Sequence, residues 1–122
     1  MISVLFYVII LLGDNMEYIE IIVTYDKITE AKRINKYLLE NRLICCAQIN
    51  KINSSYWWNN EIVDNEEYQV VMKTKKSLLN EIVKYIKDNH SYEVPEIIIR
   101  ELKSSNEDYL KWIENETKKI GW

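Results

Sequence analysis

Glycine occurs only twice in this chain of 122 residues, proline and histidine once each, and cysteine twice. Two glycines cannot supply a phosphate-cradling loop of the G-x-G-x-x-G or Walker A kind, which excludes the common nucleotide-binding architectures. The cysteines, Cys45 and Cys46, are adjacent, so they form neither a C-x-x-C redox pair nor a zinc knuckle. Successive strand residues point to opposite faces and a vicinal disulfide would be strained. The pair therefore reads as reduced thiols of a cytoplasmic protein, one of them buried. A net charge of −3 argues against a general nucleic-acid binder, because the counterion release on which such binding depends needs clustered lysine and arginine. Lysines alternate with acids along the predicted helices, as on solvated faces.

The one long apolar run, Ile2 to Leu12, is shorter than the roughly 20 residues that a membrane-spanning helix needs, so no stable membrane insertion is expected. It also lacks the basic flank and small-x-small cleavage site of a signal peptide. Three readings of residues 1–15 stay open: a dispensable or non-native extension, a targeting signal, or an extra strand. Gly13-Asp14-Asn15 can be encoded by a purine-rich tract resembling a ribosome-binding site, and on the first reading Met16 is the start. The chain is accordingly divided into an apolar extension, 1–15, and one domain, 16–122, without linker or repeat.

From Glu17 onward the hydrophobic period changes regularly. Tyr18 to Thr24 is rich in β-branched residues and predicts a buried strand. Asp26 is placed to cap a helix that runs to about Arg42 with Ile28, Ala31, Ile34 and Leu38 inward. Ile44 to Ile52 predicts a second strand, with Ser54 to Trp58 a third or a continuation, and Asn59-Asn60-Glu61 a hairpin turn. Tyr68 to Lys73 predicts the next strand. Ser77 is placed to cap a helix ending near Asn89, Glu96 to Leu102 is the last strand, and Ser105 with Asp108 opens a C-terminal helix. The order β-α-β-β-α-β-α predicts an α+β, ferredoxin-like domain, an antiparallel sheet with helices on one face.

Tyr56-Trp57-Trp58 places two aromatics on one face of its strand and one on the other. Helices on one side of a sheet cover only one of those faces, so the other asks for a partner, and a second copy of the chain is the partner expected. The densest chemistry lies in His90-Ser91-Tyr92-Glu93-Val94-Pro95-Glu96, which joins a helix to a strand. Pro95 cannot continue the helix and keeps Val94 out of helical geometry, which makes the segment a shaped turn.

These residues resemble the CutA divalent-cation-tolerance family. The resemblance spans Tyr18 to Ile113 and starts with Ile22-Val23-Thr24, then Glu30-Ala31. Asn41 to Ile49 follows the family's R-L-A-A-C-V-N-I, and Tyr56-Trp57-Trp58 with Glu61-Ile62 follows its Y-x-W-x-x-x-I hairpin. Glu67 with Met72-Lys73-Thr74, the His90 heptad against H-P-Y-E-V-P-E, and the closing Tyr109-Leu110-Lys111-Trp112 complete the series. What the resemblance implies is a homotrimer with an architecture similar to the PII signalling proteins, no catalytic activity, and a role in tolerance of copper and other divalent cations. Where enteric members carry copper ligands this chain has Val23, Asn89 and, alone retained, His90. A single imidazole is a weak copper site unless ligands converge on it, and Glu93 and Glu96 are the expected helpers. The alternative is a regulatory trimer that takes a small molecule or partner protein in a cleft between subunits, formed by Tyr56, Trp58, Lys73, His90, Tyr92 and Glu96. No serine or cysteine is placed with the histidine as an activated nucleophile, so an enzyme is not expected.

Overall fold

The computed structural model describes residues 17–119. The apolar extension and the choice of Met16 as a start lie outside them. Four strands are present, β1 (Tyr18–Tyr25), β2 (Cys46–Trp58), β3 (Glu61–Lys75) and β4 (Ile97–Glu101), with helices α1 (Ile28–Glu40), α2 (Leu79–Asn89) and α3 (Glu107–Glu116). The strands are ordered β2-β3-β1-β4, every neighbouring pair antiparallel. This is the α+β, ferredoxin-like arrangement expected.

Alternation in β1 turns Ile19, Ile21, Val23 and Tyr25 to one side, where Val70 and Met72 of β3 join them. Ala31, Ile34 and Leu38 of α1 and Ile82 and Ile86 of α2 recur at helical spacing and close over that side. These side chains are essentially solvent-free, and trimming one of the buried isoleucines to alanine costs about 2–5 kcal/mol. The third helix departs from the one-face expectation. Its Glu114 pairs with Lys75 at 2.9 Å, and its Tyr109 stands beside Cys46. Both partners alternate onto the face opposite the core, so α3 covers the other side of the sheet at the end where β2 begins.

The hairpin is also longer than the sequence pattern indicated. β2 is one strand through Trp58, and β3 begins at Glu61, seven residues before the expected Tyr68. Asn59 and Asn60 both adopt left-handed backbone, φ 50° and 64°, the geometry of a two-residue turn whose twist matches the strands. Because the turn is so tight, Ile52 to Trp58 pairs residue by residue with Glu61 to Glu67. β1 pairs with β3 only as far as Tyr68, so this part of the hairpin is a two-stranded arm beyond the sheet.

The capping expectations shift by a residue or more. Lys27, not Asp26, precedes α1, and Leu78, following a 3₁₀ turn at Lys76–Leu78, precedes α2; neither cap has a side-chain hydrogen bond. Asn106, not Ser105, caps α3 and accepts the Asp108 amide at 3.1 Å.

Candidate functional site: a cleft between the arm and the His90 turn

Helix α2 ends at Asn89, and His90 leaves it in extended geometry while its amide still reaches the Ile86 carbonyl at 2.8 Å. From there the chain is pinned at several points. The imidazole Nδ1 lies 2.9 Å from the Tyr92 amide, which can only donate, so Nδ1 is the acceptor. Nε2 therefore carries the proton and donates to the Thr24 carbonyl at 2.7 Å. The ring is fully buried and stacks on Tyr25, centroids 4.6 Å apart. Ser91 hydroxyl donates to Glu30 of α1 at 2.9 Å, and Tyr92 hydroxyl donates to Glu67 of β3 at 2.6 Å. One turn is thus tied to β1, α1 and β3.

Between this turn and the arm lies a cavity of about 610 Å³. Tyr56, Trp58, Tyr92 and Val94 give it aromatic and apolar walls, Thr24, Ser54, Ser55 and Ser91 supply hydroxyls, and Glu67, Glu93 and Glu96 line it with carboxylates. No lysine or arginine lines it, so its field favours a cation and opposes an anion. Burial, and then the bond to Glu67, raise the Tyr92 phenol above its ordinary pKa, so it remains a donor at neutral pH.

The structure brings together Tyr56, Trp58, Tyr92, Glu93 and Glu96 of the expected residues. His90 stands behind the cleft wall. Lys73 lies farther along the sheet, its ammonium donating to Gln48 at 3.0 Å. Thr24 and Glu67 enter the site without having been singled out for it, although Glu67 carried a signal in its motif match. Both imidazole nitrogens are committed, so a cation at His90 would have to displace one of these bonds. Among the described residues no three His, Cys, Asp or Glu side chains converge as a metal site requires. In this arrangement the residues present do not compose a copper centre on His90; the imidazole acts as a strut.

A second cluster surrounds the cysteines. Strand β2 begins at Cys46, leaving Cys45 in a bend, so the alternation expected of the pair does not apply. The Cys45 amide and thiol both donate to the Lys73 carbonyl, at 3.0 and 3.2 Å. Neither cysteine is fully buried. The neighbouring Cys45 thiol, then the Lys73 ammonium and the Tyr109 hydroxyl, lower the Cys46 thiol, while the same contact and burial raise that of Cys45. The pair holds one negative charge readily and a second with difficulty.

The family model described as CutA1 divalent ion tolerance protein matches residues 19–116. The divalent-cation tolerance protein CutA of Pyrococcus horikoshii is 40% identical over 96 residues, 79% of this chain and 94% of that protein. The chloroplastic protein CutA 1 of rice is 34% identical over 101 residues, 82% of this chain and 57% of the rice protein. The crystal structure of Pyrococcus horikoshii CutA1 superposes with a TM-score of 0.79 at 38% identity, covering 83% of this chain and 99% of that one. The structure of the Archaeoglobus fulgidus protein, called a periplasmic divalent cation tolerance protein, superposes at 0.80 with 31% identity, again over 83% and 99%.

Proposed function

This chain belongs to the CutA1 divalent ion tolerance family, and on that footing we propose that it acts as a non-enzymatic homotrimer in divalent-cation tolerance, with the acidic, aromatic-walled cleft as its binding surface. The observation that carries the reading is the composition of the cleft: three carboxylates, three aromatic rings and no cationic side chain around one cavity. Aromatic walls with a few fixed polar groups suit a small molecule or a side chain of a partner protein, and the carboxylates add a preference for positive charge. A divalent cation would meet the oxygens of Glu93 and Glu96 there before it could reach the imidazole of His90.

The trimer is supported by the arm. Because it projects past the sheet, one of its faces is left open: Trp57 is 72% exposed and its cross-strand partner Ile62 68%, while Tyr56 and Trp58 on the other face are partly covered by the His90 turn. Apolar surface of that extent on a two-stranded arm supports a contact with another copy. The absence of catalysis is supported by the chain's one histidine, which is locked between Thr24 and Tyr92 and so has no nitrogen free for acid–base work. Free cysteines suit a reducing compartment, and the cytoplasm is the compartment we assign.

Isothermal titration of Cu²⁺ tests the reading, in a Cys45→Ser/Cys46→Ser background so that thiol oxidation adds no heat. His90→Ala should bind copper as the background protein does, and Glu93→Gln/Glu96→Gln several-fold more weakly. Loss of affinity in a folded His90→Ala protein would restore the imidazole as a ligand and overturn the assignment. Titration with neutral aromatic amides and with aromatic amines then asks whether the cleft prefers organic cations.

A further inference from the structure

The cysteine cluster lies at the opposite end of β2 from the cleft and plays no part in the function proposed above. We infer that Cys45 and Cys46 form a dithiol clamp for trivalent arsenic, taking arsenous acid or an organoarsenic(III) hydroxide as a two-bond ligand. Three observations carry the assignment. The bend before β2 sets both residues over Lys73, the Cys45 thiol on its carbonyl at 3.2 Å and Cys46 opposite it in register. Both thiols are free and partly exposed. A phenol, Tyr109, and an ammonium, Lys73, stand beside Cys46.

Adjacency favours this chemistry over a disulfide. Consecutive Cα atoms are held about 3.8 Å apart, below the span of roughly 4.4–6.8 Å that an unstrained disulfide uses. A bridging arsenic atom lengthens the link by one bond and one atom and relieves that constraint. Zinc is a poorer fit, since it takes four ligands and this cluster offers two sulfurs. The step balances without an oxidant. Cys46 sulfur attacks arsenic and one hydroxide leaves as water; Cys45 sulfur then displaces a second hydroxide, which also leaves as water. Two As–O bonds break, two As–S bonds form, and the two thiol protons end in the two waters. The lowered pKa of Cys46 supplies the first nucleophile.

The chain has no other cysteine, so any dithiol chemistry belongs to this pair. The full-length native protein is treated with phenylarsine oxide and read by intact mass and by thiol counting. One phenylarsenic group per chain and no remaining reactive thiol is the expected result, stable to glutathione and reversed by dimercaptopropanol. Cys45→Ser and Cys46→Ser, checked for fold by circular dichroism, should each lose retention roughly 100-fold or more, because the second As–S bond is intramolecular. Wild-type protein that takes no arsenical, or that keeps one thiol free when loaded, overturns the inference, and neither result depends on a variant's folding. Retention in either single variant equal to wild type overturns it too.

Discussion

The Tyr92 hydroxyl donates to the Glu67 carboxylate at 2.6 Å, joining residues 25 apart in sequence and closing the floor of the cleft. Glu67 is only 6% exposed, so water cannot freely replace this donor. A hydrogen bond to a charged group contributes about 1.5–3 kcal/mol. Tyr92→Phe should therefore lower unfolding free energy by about 2 kcal/mol in urea denaturation. Glu67→Gln keeps an acceptor and should lose less. A Tyr92→Phe protein as stable as wild type would show that the bond does not hold the turn to the arm.

Asn59 and Asn60 carry the arm's turn at φ 50° and 64°, where any side chain with a Cβ is strained. Asparagine tolerates this region, but glycine enters it freely, and Asn-Gly is the favoured pair for such a turn. Asn60→Gly should raise stability by up to about 1 kcal/mol with the hairpin register unchanged. Destabilisation by a similar amount would mean that the Asn60 side chain makes a contact the turn needs.

The arm was the part of the fold least legible in the sequence, and the reason is physical. Residues 53–55 and 64–66 are polar on both faces, so they show neither the alternation of a half-buried strand nor a continuous apolar run. They are strands because a tight turn forces each to pair with its opposite number. β1, α1 and α2 were legible because one apolar face of each meets the core. Similarly, the aromatics and the His90 heptad announced much of the cleft, whereas Thr24 and Glu67 join it through contacts spanning 66 and 25 residues that no local pattern records. Lys73 shares a sheet face with Glu67 but lies six positions along the strand, beyond reach of the turn. The cysteines were assigned to opposite faces on the assumption that both belong to a strand, and β2 begins one residue too late for that.

Exposure of Trp57 opposite Ile62 bears directly on assembly. Covering a tryptophan this exposed is worth roughly 3–4 kcal/mol per chain at about 25 cal/mol per Å². On light scattering after gel filtration, wild type should run at three chain masses. Trp57→Ser/Ile62→Ser should shift toward one chain mass as the protein is diluted. A variant that stays trimeric at every concentration would place the arm tip outside the interface.

The Cys46 thiol provides a pH-dependent test of its surroundings. Its pKa is lowered from the ordinary 9.0 to about 6, first by the neighbouring Cys45 thiol and then by the Lys73 ammonium and the Tyr109 hydroxyl, against an opposing effect of burial. A lowered pKa means that the native state releases the proton more readily than the unfolded chain. The interaction is therefore present above the unfolded value and is lost as pH falls through the folded one. Since only the thiolate is alkylated, the iodoacetamide rate at Cys46 should rise through a midpoint near pH 6 and level off by neutral pH. Lys73→Met removes a neighbouring positive charge and Cys45→Ala removes the neighbouring thiol, so both midpoints should move upward, the Cys45→Ala one farther. Cys45 itself should resist alkylation until strongly alkaline pH, because its own thiol is raised by the same contact. A wild-type midpoint at the ordinary cysteine value, unmoved by either substitution, would show that the two sulfurs titrate independently and that Lys73 does not stabilise the thiolate.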